Sequence, residues 1–133
     1  MKISDNFELR EFTKSDTATQ KGIANDPGVR EVKAIENLVV NLLQPLREVY
    51  GKPMKINSGY RCPELNAAVG GVPTSQHTKG EAADVACEHP AELVRCLMDS
   101  GLDFDQCIKY STFVHLSLKQ DGENRRQFLK GRY

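Results

Sequence analysis

Two short segments of this chain contain the residue types that bind a transition metal. The segment 75–84 reads Ser-Gln-His-Thr-Lys-Gly-Glu-Ala-Ala-Asp and contains His77 and Asp84, and the segment 113–117 contains His115. Catalytic zinc typically takes three protein ligands and leaves its fourth position to water or substrate, whereas structural zinc takes four. Two imidazoles and a carboxylate therefore predict a zinc site of the catalytic kind.

The elements around these residues are those that such a site needs. Gly80 allows a sharp turn between a loop that holds His77 and a strand over 81–87. Alternation along that strand places Ala82 and Asp84 on one face. An unpaired carboxylate in an apolar strand is costly, and a dication would neutralise it. The alternative is that each residue is ordinary: a loop histidine, a strand-end carboxylate and a hydrogen-bonded histidine of the sheet.

Three motifs, taken together, resemble one protein family. They are Ser58-Gly59-Tyr60-Arg61, the pattern Ser-x-His-x-x-Gly-x-Ala-x-Asp over 75–84, and Val114-His115. They are similar to the motifs of the D-Ala-D-Ala metallopeptidases, zinc carboxypeptidases and phage endolysins with a hedgehog-type fold that cut peptidoglycan stem peptides. The resemblance covers nearly the whole chain. Residues 1–7 are similar to the first residues of compact bacterial and phage members of the family, which also have a long helix before the site.

The resemblance implies roles for individual residues. His77, Asp84 and His115 match the zinc ligands of the family. Arg61 matches an arginine that faces the substrate, and a guanidinium suits this role because its planar fork binds a carboxylate through two hydrogen bonds. Ser75 and Gln76 lie where the family places polar contacts to the substrate or to water on the metal.

One position departs from the family pattern. Relatives carry a glutamate that acts as general base on the strand after a Phe-Asp segment, and here that position falls on Tyr110. Tyrosine, with a pKa of about 10, is a poor base at neutral pH. The nearby Glu81 is predicted to point away from Asp84 by strand alternation. Loss of a general base typically costs about 10²–10⁴-fold in rate, so weak zinc-assisted hydrolysis would remain.

These observations leave more than one function open. The leading hypothesis is a zinc metallopeptidase that acts on peptidoglycan stem peptides, as a D-Ala-D-Ala carboxypeptidase or an endolysin-type endopeptidase. The second is a pseudo-peptidase that binds peptidoglycan or a protein partner through zinc without hydrolysis, and the substitution at Tyr110 favours it. The third is a phage structural protein that has kept only the fold.

Composition narrows the remaining possibilities. The chain has 133 residues, which predicts one domain over 1–133, and its 18 basic residues equal its 18 acidic ones. A net charge near zero gives no indication of nucleic-acid or membrane binding. The absence of a signal-peptide pattern predicts a protein that is cytoplasmic as synthesised, with release to the cell wall by a phage or lysis system as an alternative. The four cysteines show no Cys-x-x-Cys spacing, so reduced thiols are expected, with a ligand or disulfide role left open for Cys62 and Cys107.

The remaining patterns predict an α+β fold in which helices cover one face of a small antiparallel sheet and zinc lies on the other. The longest apolar periodicity, from Val32 to Val49, indicates a core helix that Pro45 should kink or break. A basic tail of Arg125, Arg126, Lys130 and Arg132 is interpreted as a solvated face, with attraction to an anionic wall polymer as the alternative. Helices are expected over 8–13, 15–21, 63–69 and 90–101, and strands over 54–57, 81–87, 105–110 and 112–119.

Overall fold

The computed structural model describes residues 1–131 of the chain. Its helices are α1 (Leu9–Thr13), α2 (Asp16–Lys21), α3 (Val29–Leu38), α4 (Gln44–Tyr50), α5 (Pro63–Ala68) and α6 (Pro90–Ser100). Its strands are β1 (Lys2–Ser4), β2 (Phe7–Glu8), β3 (Lys55–Ser58), β4 (Ala82–Ala86), β5 (Gln106–Lys109), β6 (Phe113–Ser117) and β7 (Gln127–Lys130). The α+β class predicted from the sequence is confirmed, and the predicted elements lie within a few residues of the observed ones.

The long core helix continues past Pro45 instead of stopping there. Between α3 and α4 the chain forms a π-helical segment, Val39–Leu43, and the backbone N–H of Gln44 donates to the carbonyl of Val39, five residues earlier. A proline ring clashes with the carbonyl four residues before it, and a wider turn is a common way to relieve such a disruption. Val49, predicted to lie on the apolar face, is exposed, and Tyr50 is buried in its place four residues after Leu46.

The main sheet has five strands in the order β3-β4-β6-β5-β7. Strands β3, β4, β6 and β5 are antiparallel neighbours, as predicted, and β1 and β2 form a separate antiparallel pair. The fifth strand, β7, lies parallel to β5 and was not predicted. All four β7 side chains are exposed, so its sequence lacks the alternation of apolar and polar residues that identifies a half-buried strand.

The core lies between the helices and one face of the sheet. On β4 and β6 the side chains of Ala83, Val85, Val114 and Leu116 are buried against it. Because side chains alternate along a strand, Asp84 and His115 project to the opposite face. Helical residues complete the core: Ile35, Leu38, Leu42, Leu43, Leu46, Leu93 and Leu97.

The basic C-terminal segment is exposed to solvent over 125–130, as predicted, and its two arginines are also ion-paired; Arg132 lies outside the described residues. The guanidinium of Arg125 binds the carboxylate of Asp105 through two hydrogen bonds of 3.0 and 2.7 Å, and the backbone N–H of Arg125 donates to the same carboxylate at 2.8 Å. Arg126 pairs with Asp103 at 2.9 Å. Asp105 is fully buried, so this cluster holds the segment before β7 against the sheet.

The structure shows the state of the four cysteines, which the sequence predicted to be reduced thiols. All four cysteines are free thiols, and burial raises the pKa of Cys107 to about 12. Cys62 and Cys107 are not part of the only metal-ligand cluster found among residues 1–131, so a ligand role for either is not supported.

None of the described helices combines the length and the apolar character needed to cross a membrane.

Candidate metal centre

Three side chains converge on the face of the sheet opposite the core. One ligand atom from each of His77, Asp84 and His115 lies within 4.8 Å of the other two. Nε2 of His77 is 3.5 Å and Nδ1 of His115 is 2.9 Å from Oδ1 of Asp84, and the two rings meet edge to face. The structure therefore brings together the three residues that the sequence singled out.

His77 is held by its backbone and its ring. It lies in a short 3₁₀ turn, Gln76–Lys79, whose first N–H groups are capped by Ser75: the Ser75 hydroxyl accepts from the N–H of His77. Nδ1 of the ring donates to the carbonyl of Gly59 at 2.6 Å, which leaves Nε2 facing Asp84. A hydrogen bond to the second ring nitrogen fixes the tautomer and orientation of a metal-binding histidine.

Two glycines make this arrangement possible. A side chain at Gly59 would collide with the backbone of Phe12, so the Gly59 carbonyl reaches His77 only because no Cβ is present. Gly80 ends the 3₁₀ turn with a φ of 76° and leads directly into β4. The sharp turn predicted at Gly80 is thus observed, in the left-handed region that glycine adopts readily.

Asp84 and His115 are brought together by the pairing of β4 with β6. Their Cα atoms are direct partners in that antiparallel ladder, and Ser58 of β3 pairs with Asp84 from the other side. Burial raises the pKa of Asp84, but hydrogen bonds from His115 and His77 and their charge outweigh it and hold the pKa well below its usual range. The carboxylate is therefore charged, and it has only imidazoles as close partners.

Arg61 lies beside this centre with unused hydrogen-bonding capacity. Its Nη2 donates to the Ser75 hydroxyl at 3.3 Å, while its Nε is buried without a partner in the part of the chain that the structure describes. Burial lowers the pKa of Arg61, and the charge of Asp84 partly restores it. Arg61 also lines a surface cavity, so its guanidinium can contact an external anionic or carbonyl group.

Asn25 positions Arg61, and nothing in the sequence pointed to it. Its Nδ2 donates to the carbonyls of Thr13 and Tyr60, both at 2.9 Å, and its Oδ1 accepts from the N–H of Cys62 at 2.8 Å. These bonds fix the residues on both sides of Arg61. The Asn-Asp-Pro sequence is typical of a helix start, so only the tertiary contacts identify this role.

Gln76 and Glu81 turn towards a separate, charged cavity. Nε2 of Gln76 donates to Glu81 at 3.4 Å, and the other carboxylate oxygen of Glu81 accepts from the N–H of Gln120 at 3.1 Å. Both residues line a cavity of about 610 Å³ whose lining includes none of the three converging residues. Glu81 is engaged there, in agreement with the prediction that it points away from Asp84.

Tyr110, at the position that the resemblance assigns to the general base, is a packed aromatic residue. Its ring stacks on Phe113 with centroids 4.4 Å apart and planes at 11°. The ring also lies so close to Gly131 that a Cβ on that residue would collide with it. Asp105, the acidic residue that precedes Tyr110 in the sequence, is neutralised by Arg125.

The donor set fits a divalent metal. Two imidazole nitrogens and a carboxylate oxygen are ligands for zinc and its neighbours, and three protein ligands leave room for a further group. The side chains of His77, Asp84 and His115 are 4%, 21% and 15% exposed, so the centre is recessed but Asp84 and His115 remain accessible from solvent. The three ligand side chains are therefore already oriented to bind a metal.

Comparison with known families agrees with this geometry. The model of the family described as Peptidase M15 matches residues 5–117, which include all three candidate ligands and Arg61. No curated protein matches the chain significantly. M15 peptidases are metal-dependent, as the convergence of His77, Asp84 and His115 would require. Because the family model spans most of its length, this chain belongs to the M15 peptidases, the D-Ala-D-Ala metallopeptidase family.

Proposed function

We propose that this chain binds one zinc ion through His77, Asp84 and His115 and acts as a metallopeptidase on peptidoglycan stem peptides. The observation that carries the proposal is the oriented ligand cluster, in which a charged carboxylate faces two imidazole nitrogens and forms no salt bridge with a lysine or arginine among the described residues. Zinc supplies a Lewis acid and lowers the pKa of its water to about 7 when bound in such a site.

Arg61 would hold the peptide against this centre. Its Nε has no partner among the described residues, and its Nη2 is steadied by Ser75, which also caps the turn that carries His77. A peptide carboxylate or a developing oxyanion placed there would satisfy the guanidinium and gain a charge-assisted hydrogen bond. Arg61 and the ligand His77 are thus supported by one serine, which couples substrate position to metal position.

A second function, zinc-dependent binding without appreciable hydrolysis, is favoured by the environment of Tyr110. The ring stacks on Phe113 and lies close to Gly131, and a carboxylate at this position would have to replace that packing. A side chain fixed by stacking serves the structure of the connection between β5 and β6. Under this alternative the chain would recognise a stem peptide or a protein partner and release it uncut.

The experiment measures zinc content by elemental analysis and the release of D-Ala or stem-peptide fragments from purified peptidoglycan. Wild type is compared with His77→Ala and with His89→Ala, a control that removes an exposed histidine at the start of α6. One zinc per chain and product release that His77→Ala abolishes and His89→Ala preserves would support the peptidase. A wild-type protein that binds no zinc would contradict both proposals and favour a structural role.

Tyr110 variants separate the two candidate functions. Tyr110→Glu restores the family's carboxylate, and Tyr110→Gln is its matched control because it has nearly the same shape but cannot act as a base. Zinc binding without hydrolysis in wild type, with hydrolysis gained by Tyr110→Glu but not by Tyr110→Gln, would identify a pseudo-peptidase. Hydrolysis by wild type that Tyr110→Gln leaves intact would show that catalysis needs no base at this position.

A further inference from the structure

A polar groove runs beside β3 and ends near the metal centre. Two adjoining cavities, of about 330 and 200 Å³, share Lys14, Ser15, Asp16 and Asn57 in their lining. We call these two cavities the edge groove. One wall is the turn between α1 and α2, and the other is β3.

The edge groove follows the edge of the strand. Consecutive residues of β3, from Lys55 to Asn57, line its smaller cavity. Side chains on one face of a strand come from alternate residues, so a lining of consecutive residues indicates the strand's edge. Within residues 1–131, β3 pairs only with β4, which leaves this edge without a neighbouring strand.

The larger cavity connects this edge to the proposed catalytic machinery. Ser58 and Arg61 both line it. Ser58 is the Cα partner of Asp84 across β3 and β4, and adjacent strands lie about 4.8 Å apart. A chain added on the free side of β3 would therefore lie about two strand spacings, roughly 9.6 Å, from the backbone of Asp84, and it would pass Arg61 in the lining of the larger cavity.

The charges lining the edge groove favour an anionic occupant. Lys14, Lys55 and Arg61 contribute three positive charges, and Asp16 contributes one negative charge. Lys14 forms no ion pair with any described residue, and it lines both cavities. An extended acidic peptide matches both the shape and the charge, because strand addition satisfies free backbone groups at a sheet edge while side-chain contacts give specificity.

We infer that an acidic peptide binds in the edge groove as an added strand beside β3, with one of its carboxylates on the ammonium group of Lys14. This inference rests on the proposed function and extends it, because it makes Lys14 a specificity-determining residue outside the metal centre. Stem peptides that carry a free side carboxylate are preferred over the same peptides in which that carboxylate is amidated.

The test uses a fluorescent stem pentapeptide, Ala-D-Glu-Lys-D-Ala-D-Ala, and its counterpart with the glutamate carboxylate amidated. Binding to the zinc-loaded protein is measured by fluorescence anisotropy for wild type, for Lys14→Glu and for Lys21→Glu, an exposed lysine outside the groove. We expect Lys14→Glu to weaken binding of the acidic peptide about fivefold, the upper range for an exposed ion pair, and to leave the amidated peptide unchanged. Lys21→Glu should change neither.

Each outcome decides a different point. An equal effect of Lys14→Glu on both peptides, or no effect on either, would overturn the inference and leave the proposed function standing. Failure of wild type to bind either peptide would overturn the proposed function and the inference with it. Methylating the peptide amides one at a time tests the added strand separately: sensitivity at alternate amides supports it, and uniform tolerance overturns it.

Discussion

Two aspartates of this chain, Asp84 and Asp105, differ in what their surroundings provide. Asp105 is fully buried, and its carboxylate accepts three hydrogen bonds from Arg125 and lies 3.8 Å from Lys119. Asp84 is partly exposed and faces the rings of His77 and His115. The charge of Asp105 is therefore neutralised by the side chains of Arg125 and Lys119. Asp84 forms no salt bridge with a lysine or arginine among the described residues.

This difference distinguishes a structural carboxylate from a ligand. Both groups have a pKa below the usual range, so a lowered pKa alone does not identify the site. What distinguishes Asp84 is the type of its partners, since imidazoles with free electron pairs can share a dication with the carboxylate and guanidinium groups cannot. Opposite responses to the same substitution at the two positions would establish the difference.

The largest expected effect is on metal affinity. Asp84→Asn removes a charged ligand and should weaken zinc binding by about 100-fold or more, since even the loss of a residue that only orients a ligand costs about 10–100-fold. Asp105→Asn, the matched control, should leave zinc affinity unchanged. Competition with a chromogenic chelator measures both. Equal losses in the two variants would mean that Asp84 acts only through folding.

A second prediction concerns the neutral hydrogen bonds next to the metal centre. Asn25→Ala leaves the carbonyl of Tyr60 and the N–H of Cys62 without their partners, and we expect a loss of about 3 kcal/mol in the free energy of unfolding. Asn25→Asp keeps the acceptor for Cys62 but places a carboxylate oxygen against the carbonyls of Thr13 and Tyr60, so it should lose at least as much. Urea denaturation gives both values. A silent Asn25→Ala would show that the segment around Arg61 does not depend on Asn25.

Much of the fold follows from local patterns in the sequence. The apolar periodicity from Val32 to Leu46 predicted the core helix, and alternation in β4 and β6 predicted which face carries Asp84 and which is buried. β7 was missed because its stabilising contacts are distant in sequence: the backbone of β5 and the pairing of Arg125 with Asp105, twenty residues away. Such contacts leave no local periodicity.

Site residues could be predicted where the chemistry requires a particular residue type. They could be predicted less well where the role depends on position in three dimensions. Only histidine supplies an imidazole, and only aspartate or glutamate supplies a side-chain carboxylate. His77, Asp84 and His115 could therefore be proposed from residue type and spacing. Asn25 forms bonds that depend on where three distant segments meet. Gln76 was predicted as a substrate contact from the family resemblance, but its side chain binds Glu81, so that role stays a prediction.

The third prediction concerns the free energy of unfolding, for which the substitution at Asp105 should have the larger effect of the two. Asp105→Asn weakens the pairing with Arg125 and should lower the free energy of unfolding by about 2 kcal/mol, because the remaining amide cannot balance the guanidinium charge. Asp84→Asn should change the stability of the metal-free protein far less, since it leaves no cationic side chain unpaired. Urea denaturation at neutral pH, with a chelator present, compares the two. A larger loss in Asp84→Asn would contradict the division into structural carboxylate and ligand.

The smallest effect is the dependence of that stability difference on pH. Hydrogen bonds from Arg125 lower the pKa of Asp105 to about 2 in the folded protein, against about 3.9 for an unfolded aspartate. Because the folded pKa is the lower one, the stabilisation is complete above about pH 4 and is lost as pH falls towards 2; it is halved near pH 3. Asp84 titrates in both proteins, so its contribution cancels when wild type is compared with Asp105→Asn. The difference in unfolding free energy should therefore be constant from pH 7 to about 5 and shrink below pH 4. A difference that persisted at pH 2 would mean that Asp105 stabilises the fold through shape and neutral hydrogen bonds, and that the contrast with Asp84 is not one of charge.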